Sequence, residues 1–559
     1  MNLAPASHEF HLSRFSLAVI LLFGLSLLLI HLGSGRVLTR HEVLAAQPAR
    51  EMLHSADWRR WILPTLAGVP REAKPPGMMW LIAMSIYVFR SEQEWVARLP
   101  SALAGLAVAV MTAKLAARWF GNRIGRLAGL IQLTSVFIIM QAKLAEADMP
   151  MGAAVCAAMY LLAEGVIDSP YGLQTGRGRR IGFWLALAAA FLLKGPIGPM
   201  FVGLAIVCFA FVRRDQRILR FLADPIGITA CLLLVIAWPL AAWRLDPGIW
   251  RVWNSEAVGT ATGKFGSDPI YYYLLSVPVM LLPWTPLTIL GLCRGPNAEL
   301  AGPVVRQADR AALWRFLLCW FVPGFVLLSL GIKLKSHHYG VPILPPLAIP
   351  TALGMDYFVR RQCSRAQGLI WPFFLAGCAV AALLVWKLPS IEDSMKPGMV
   401  ELLGLFAAGG LLALHFERSR RPALVVASYF LTAWVVCVGV QTWLMPAQDD
   451  LKYEADFART VNGLVPPGDT IYLLGDREEE QEAEYAYYLR FPMQRLATAA
   501  DFAAIVRDSN GAATYAIAST GFLPQLAGDG DIQTLTTSAG LHKGDSESDR
   551  LQFLRVTGR

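Results

Sequence analysis

The feature that most constrains this chain is a series of apolar segments that recur from residue 15 to residue 445. The first, residues 15–31, is long enough to cross a bilayer, because a spanning helix needs roughly 17 to 25 apolar residues. Apolar residues make up 55% of the 559 positions, and charged residues make up only 16%. The sequence therefore predicts an α-helical polytopic membrane protein, most of which lies in lipid.

Counting the segments predicts about 13 transmembrane helices. Twelve follow the first, at residues 97–117, 124–142, 150–166, 181–193, 196–213, 222–243, 271–293, 313–332, 341–358, 367–387, 397–415 and 422–445. Arginine clusters occupy every second loop, at positions 118–126, 177–180, 213–220, 306–310, 360–365 and 418–421. This alternation is typical of inside loops. It places the amino terminus inside and the carboxy terminus outside.

Two stretches differ from this membrane domain, which we assign to residues 1–445. The outside loop 33–95 is predicted to contain interfacial helices, because its apolar segment 77–89 is too short to span a bilayer. Residues 446–559 are richer in polar residues and predict a small soluble α/β domain. Its expected strands are 469–475 and 514–518, and its expected helices are 481–490 and 500–507.

A charged turn at residues 71–76 (REAKPP) stands out in the first outside loop. Pro75 biases Lys74 towards an extended conformation, and neither proline can donate a backbone hydrogen bond. We expect Lys74 to lie at the membrane surface, where its ammonium group would meet a lipid-linked phosphate. The net charge of +9 does not predict nucleic-acid binding, because the arginine clusters lie in the predicted inside loops of a membrane protein.

Other polar residues gather in the outside loops: Asp148, Lys194, Glu256, Lys335 and His338. Charged groups at membrane depth are costly unless they are paired or used, so this set is a candidate functional site. Helix capping is the alternative for Asp148, and an ordinary loop acid is the alternative for Glu256. A metal site is not predicted, because the adjacent histidines 337 and 338 point in different directions.

Lysines and carboxylates together, with no nucleotide-binding loop, favour a donor that arrives in the lipid as a polyprenyl phosphate bearing a sugar. Lysines would stabilise the leaving phosphate, and a carboxylate would take the proton from the acceptor hydroxyl. A single displacement would invert the anomeric carbon. No metal or other cofactor is required by this chemistry.

A set of short motifs carries a family resemblance. In order along residues 36 to about 350 they are REM at 50–52, AKPP at 73–76, ARLPS at 97–101, ADMP at 147–150, LKGPIG at 193–198 and LPWTP at 282–286, with Lys335 and His338 beyond. In these motifs the chain resembles the bacterial members of the protein O-mannosyltransferase superfamily. This group includes aminoarabinose transferases and belongs to the GT-C class of membrane glycosyltransferases.

The resemblance implies a multi-pass protein of the bacterial inner membrane with its active site and carboxy-terminal domain on the periplasmic side. It implies a polyprenyl-phosphate-sugar donor and an envelope acceptor, which is lipid A, another glycan or a protein hydroxyl. Lys74 matches the lysine that contacts the lipid phosphate, and Lys335 and His338 are assigned to the same group. Asp148 matches a loop acid, and Lys194 and Glu256 match polar positions of the cavity.

The chain departs from this group at His41 and Glu42, where the family has Asp-Glu and uses its aspartate as the base. Three explanations remain open. His41 is itself the base, which the near-neutral reference pKa of the histidine side chain permits; Glu42 or Asp148 has taken over; or the protein has lost transfer activity and kept lipid binding. A flippase of polyprenyl-linked sugars is a further alternative, although no internal repeat supports it.

Overall fold

A computed structural model gives the fold of the chain. The structure describes residues 11–33, 38–71, 74–167, 176–263, 266–295, 307–361, 395–444, 453–474, 485–496, 498–509, 511–526, 530–539 and 547–558. They form two compact units. The first, here called the helical unit, comprises Met1–Leu32, Ala73–Met78 and Arg98–Leu444, and the second, the loop-sheet unit, comprises Gly33–Glu72, Met79–Ala97 and Met445–Arg559.

Helices dominate the chain up to residue 444. They are α1 (Arg14–Leu29), α2 (Arg40–His54), α3 (Gly77–Phe89), α4 (Glu94–Phe120), α5 (Asn122–Thr134), α6 (Val136–Ala142), α7 (Asp148–Val166), α8 (Arg177–Lys194), α9 (Ile197–Arg213), α10 (Gln216–Leu222), α11 (Pro225–Leu245), α12 (Ile249–Thr262), α13 (Tyr272–Met280), α14 (Thr285–Arg294), α15 (Gln307–Val326), α16 (Ala348–Arg361), α17 (Lys396–Arg418) and α18 (Pro422–Gly439). Short 3-10 segments cover Trp58–Trp61 and His337–Ile343.

Six helices in the described residues are long and apolar enough to cross a membrane, or up to eight if each of two bent pairs is one span. The apolar helices α1, α3 and α9 are shorter than that criterion. The polytopic prediction is confirmed, and the count of 13 stays a prediction. The predicted span 367–387 lies outside the described residues.

Several predicted spans are bent or divided. The segment 124–142, predicted as one helix, bends by 65° between α5 and α6, where Ser135 is extended. The segment 271–293 bends by 104° between α13 and α14, and Pro283 in this break lacks the amide hydrogen that a continuous helix would use. Residues 181–213 were predicted as two helices, and α8 and α9 confirm the break, with Gly195 at a positive φ of 74°.

Arginines from different predicted inside loops meet at shared carboxylates in the helical unit. Arg118 and Arg179 both lie close to the buried Glu164, with nitrogen to oxygen distances of 3.3 and 3.6 Å. Arg123 and Arg360 likewise share the buried Asp356, at 2.8 and 2.9 Å. Residues that the charge pattern assigns to one side therefore lie together.

The loop-sheet unit contains a five-stranded sheet in the order β4-β3-β5-β7-β6. Its strands are β3 (Ile471–Leu474), β4 (Met493–Leu496), β5 (Ala513–Ser519), β6 (Asp531–Thr537) and β7 (Leu551–Thr557), after a small hairpin of β1 (Thr65–Leu66) and β2 (Val69–Pro70) in the first loop. Strand β3 is parallel to β4 and β5, and β7 is antiparallel to its neighbours. Helices α19 (Glu454–Asn462), α20 (Ala499–Asp508) and α21 (Leu523–Leu526) accompany the sheet.

Each face of the sheet buries its own apolar cluster. Ile471, Leu473 and Phe553 contribute to one cluster, which also takes in Ala67 from the first loop. Leu474 and Leu554 contribute to the other. A strand that is buried on both faces has a continuous apolar run, which is how the sequence predicted a buried strand at 469–475. The observed β3 confirms it, and β5 confirms the predicted strand 514–518.

The predicted helix 500–507 is confirmed as α20, but the predicted helix 481–490 is wrong at its end. Residues 481–484 lie outside the described residues, and Tyr487 and Tyr488 form a turn. The physical reason lies in the first loop: the Tyr487 carbonyl accepts from Arg50, and the Tyr488 hydroxyl accepts from the Leu38 amide. These contacts hold the two tyrosines in a turn.

Candidate active site

The centre of the candidate site is an ion pair between Asp148 and Lys194, which the sequence placed in separate outside loops. Asp148 is the first residue of α7, and Lys194 is the last residue of α8. These two helices pack against each other, so the start of one meets the end of the other. The Lys194 ammonium contacts the Asp148 carboxylate, and the side chains are only 11% and 6% exposed.

Both charges also suit their helix ends. A carboxylate at a helix amino terminus and an ammonium at a carboxy terminus each interact favourably with the helix dipole. No side-chain capping bond is made at the start of α7. The capping alternative for Asp148 therefore has no support from its hydrogen bonds, whereas the pairing with Lys194 does.

Three further groups surround this pair. The ligand atoms of Glu146, Asp148 and His338 all lie within 4.8 Å of one another. The His338 ring is oriented by Ser336, whose hydroxyl is 2.8 Å from Nδ1. The Lys194 ammonium lies 5.1 Å from the centre of the Tyr339 ring, a distance that permits a cation–π interaction. The site thus combines two carboxylates, an imidazole and an ammonium.

Such a set of two carboxylates and an imidazole could hold a divalent cation. The expectation from the sequence was that no metal takes part, and it stays a prediction. The Lys194 ammonium already supplies a positive charge at Asp148, which lowers the electrostatic gain from a cation.

Lys335 is buried and is held by groups from two segments. Its backbone amide donates to Asp268 at 2.9 Å, and its ammonium donates to the Ile332 carbonyl at 2.7 Å. Next to it, the fully buried Tyr273 donates from its hydroxyl to the Ser336 carbonyl at 2.8 Å. The segment that carries Lys335 and His338 is therefore fixed in place against α13.

Lys74 is exposed and lies in a bend just before α3. Gly77, at the start of that helix, approaches the end of α8 so closely that a Cβ there would lie 2.4 Å from the Leu192 carbonyl oxygen. Lys74 is three residues before Gly77, and Lys194 is two residues after Leu192. The backbone therefore brings both lysines to the same end of α8.

The two residues at the position of the family aspartate differ in their surroundings. His41 is exposed on the first turn of α2. Glu42 is fully buried and completes a capping box, in which its carboxylate accepts from the Thr39 amide at 2.9 Å. Both belong to the loop-sheet unit. Glu256 lies on α12 of the helical unit, and its side chain is outside the described set.

Sequence reasoning missed Tyr273 as a supporting residue of this site. The signal was present, because three consecutive tyrosines at 271–273 stand at the head of an apolar segment. Tyrosine is favoured at such an interface, where one end of the ring is apolar and the other meets polar groups. The residue at which α13 begins decides which of the three tyrosines points inward, and composition alone does not predict that residue.

Comparison with known proteins supports the fold and the class. The family model described as dolichyl-phosphate-mannose-protein mannosyltransferase matches residues 73–243. The undecaprenyl phosphate-alpha-4-amino-4-deoxy-L-arabinose arabinosyl transferase of Edwardsiella ictaluri is 28% identical over 417 residues, which cover 69% of each chain. The protein of that name from Yersinia pestis strain Pestoides F is 26% identical, over 73% of this chain and 72% of the relative.

The crystal structure of ArnT from Cupriavidus metallidurans bound to undecaprenyl phosphate superposes with a TM-score of 0.76 and 21% identity, covering 97% of both chains. Its apo state gives a TM-score of 0.75 over the same coverage. The fold of this chain is therefore the fold of these two ArnT structures. In sequence, the chain is similar to the mannosyltransferase family model and to the arabinosyl transferases named above, and these similarities support a PMT/ArnT-like glycosyltransferase.

Proposed function

We propose that this protein transfers a sugar from a polyprenyl-phosphate-linked donor to an envelope acceptor, on the periplasmic face of the bacterial inner membrane. The observation that carries the proposal is the buried Asp148–Lys194 pair beside His338, at the end of α8 that the Lys74 segment also approaches. The relatives are named as arabinosyl transferases of an undecaprenyl-phosphate-linked sugar, and these names support the same class of donor.

In this proposal lysine charge stabilises the leaving group. The bond between the anomeric carbon and the phosphate oxygen breaks, and the phosphate leaves with the bonding electron pair. Lys74 and Lys194 would neutralise the negative charge that develops there, and Lys335 and His338 would contribute from the adjoining segment. The products are the free polyprenyl phosphate and a glycosylated acceptor with inverted anomeric configuration.

Asp148 is our candidate for the base that takes the acceptor proton. Its carboxylate is buried, contacts the Lys194 ammonium and lies beside His338 and Glu146. Glu42 is a weaker candidate, because its carboxylate already serves the capping box at the start of α2. His41 is exposed and remains an alternative base that mutation can separate from Asp148.

The proposal is tested by incubating the purified full-length protein with a labelled polyprenyl-phosphate sugar and an extract of envelope lipids and glycans. We expect release of free polyprenyl phosphate together with a labelled product that mass spectrometry can identify. A flippase would translocate the donor without releasing polyprenyl phosphate, so the absence of release in the presence of acceptor would contradict the proposal.

We predict that Asp148→Asn lowers the rate of transfer by about 10²- to 10⁴-fold, the usual contribution of a general base. The affinity for the donor should change far less. It can be measured by titrating the protein with donor and recording the quenching of protein fluorescence. His41→Ala serves as the comparison and should keep most of the activity. Loss of transfer in His41→Ala with activity retained in Asp148→Asn would reverse this assignment.

A lipid-binding protein without transfer activity is the second candidate, because His41 stands where the family has its aspartate. This candidate predicts donor binding that depends on Lys74, with no product in the assay above for the unaltered protein. Binding and product formation are measured on the same preparation, so the two candidates give different results.

A further inference from the structure

The loop-sheet unit contains a cavity of about 740 Å³ whose lining includes none of the residues assigned above. Helix α2 lines it on one side, and the turn of the β1–β2 hairpin and residues 490–493 line it elsewhere. A volume of this size accommodates a monosaccharide or disaccharide headgroup. Two features of its lining bear on binding: a buried acceptor and two cations, none of which has a partner in the part of the chain that the structure describes.

The unpaired acceptor belongs to Gln47, which is 1% exposed and lines the cavity. Its side-chain nitrogen donates to the Glu51 carboxylate at 2.9 Å, while its oxygen has no hydrogen-bond partner among the described residues. The amide cannot be reversed, since its oxygen would then face the carboxylate. A buried carbonyl oxygen without a donor is costly, and a hydroxyl group of a ligand would satisfy it.

The neighbouring acid, Glu51, is the group that holds the Gln47 amide in this orientation. The Glu51 carboxylate also accepts from the Thr65 hydroxyl and, at 2.8 Å, from the Ala67 amide. Its two oxygens therefore accept three hydrogen bonds, two of which join α2 to the hairpin, and these bonds fix the carboxylate in place. Gln47 is thus held in one orientation by a group that is itself fixed.

The unpaired cations are Arg60 and Arg490, which both line the cavity. Within the part of the chain that the structure describes, neither guanidinium has a hydrogen-bond or ion-pair partner. The third arginine of the lining, Arg50, is used differently: it donates to the carbonyls of Tyr487 and Leu489 at 2.6 and 2.8 Å. Guanidinium groups bind phosphate and carboxylate through two parallel hydrogen bonds.

The acids of the lining do not neutralise these two arginines. Glu92 contacts His54 at 2.5 Å and lies 3.9 Å from Arg50. Two guanidinium groups without a partner among the described residues, one buried acceptor and the half-buried ring of Phe491 therefore remain for a ligand. An anionic group, a hydroxyl group and an apolar sugar face would match them.

We infer that this cavity binds an anionic saccharide, with its phosphate or carboxylate on Arg60 and Arg490 and a sugar hydroxyl on Gln47. The inference rests on the proposed function only for the role of this ligand, which would be the headgroup of the acceptor. Binding itself depends on no step of the transfer. Lys74 and Lys194, whose proposed ligand is the donor phosphate, are not among its lining residues.

Calorimetric titration of the purified full-length protein in detergent tests the inference. The probes are glucose 1-phosphate, glucuronic acid, glucose and inorganic phosphate, so that the two kinds of anion are distinguished. We expect at least one of the two charged sugars to bind about tenfold more tightly than glucose or phosphate alone, because it uses both parts of the site.

The variants separate the two parts. Arg60→Gln with Arg490→Gln should weaken binding of the charged sugar by at least about tenfold, whereas Gln47→Leu should remove the preference for that sugar over phosphate. The matched control is Arg59→Gln, because Arg59 is the exposed neighbour of Arg60 and is not part of the lining. Unfolding temperature is recorded for each variant to show that it folds.

Equal binding of the charged sugars in the double variant and in Arg59→Gln would overturn the inference, as would binding of phosphate alone at the same strength. Release of polyprenyl phosphate is measured on the same preparations. Transfer without sugar binding would refute this inference alone, and sugar binding without transfer would refute the proposed function alone.

Discussion

At the scale of single residues, burial separates carboxylates that the sequence presents as equivalent. Asp148 and Glu42 are both nearly inaccessible, but Asp148 pairs with an ammonium and Glu42 closes a capping box. Asp148 therefore lies beside other titratable groups, whereas the Glu42 carboxylate accepts a hydrogen bond from the backbone at the start of α2. A buried acid therefore acquires its role from its partner and not from its type.

This difference gives a prediction for Glu42. Glutamine also closes a capping box, so Glu42→Gln keeps the start of α2 and removes any basicity. We expect Glu42→Gln to retain transfer within about twofold. A loss comparable to the 10²-fold expected for a general base, with normal unfolding, would show instead that Glu42 accepts a proton.

The control for that experiment is Thr39→Ala, which leaves the Glu42 carboxylate intact and removes the other half of the box. Loss of a Thr cap costs about 1 kcal/mol. We therefore expect a lower unfolding midpoint in Thr39→Ala than in Glu42→Gln, measured by thermal or denaturant unfolding.

At the scale of elements, the position of Lys74 depends on the contact between the start of α3 and the end of α8. Gly77 makes this contact possible, since any Cβ there would meet the Leu192 carbonyl. The neighbouring prolines 75 and 76 stiffen the preceding turn, so a displacement of α3 moves Lys74 with it. Gly77 thus allows the close approach of α3 to α8 that positions Lys74.

We predict that Gly77→Ala raises the KM for the lipid-linked donor by roughly tenfold or more, because a displacement of about 1 Å can cost that much. Gly203→Ala is the matched control, since a Cβ at Gly203 has nothing within 4 Å. Steady-state kinetics of both variants check this. An unchanged KM in Gly77→Ala would mean that Lys74 does not contact the donor.

The sequence predicted many of these elements because their signals are local. The apolar segments, the break at residues 194–196 and the strand 469–475 depend on periodicity, proline and glycine, and the structure contains all of them. The bends at 135 and 283 were missed, because an apolar run does not record where a helix changes direction. The turn at Tyr487 was missed because its cause is Arg50, 437 residues earlier.

The site shows the same limit. Lys194 and Asp148 were selected as charged residues at predicted helix ends, but their pairing follows from the packing of α7 on α8. Glu146 and His338 join them through separate segments. Contacts of this kind depend on the tertiary fold and cannot be predicted from composition or spacing.

At the scale of the whole molecule, the alternation of arginine-rich loops predicts which segments face the cytoplasm. In a cysteine-free background, Arg220→Cys should react with a membrane-impermeant thiol reagent only after the inner membrane is permeabilised. Gln533→Cys, at an exposed position of β6, should react once the reagent reaches the periplasm. Both positions labelling from the same side would refute the predicted topology.

The joining of the first loop to the carboxy-terminal sheet also bears on synthesis of the chain. The carbonyl partners of Arg50 are Tyr487 and Leu489, which leave the ribosome 437 and 439 residues later. Folding during synthesis proceeds from the amino terminus, so these two contacts of α2 cannot form until nearly the entire chain has been made. A chain released before residue 487 would therefore lack the bonds that join its first loop to the carboxy-terminal region.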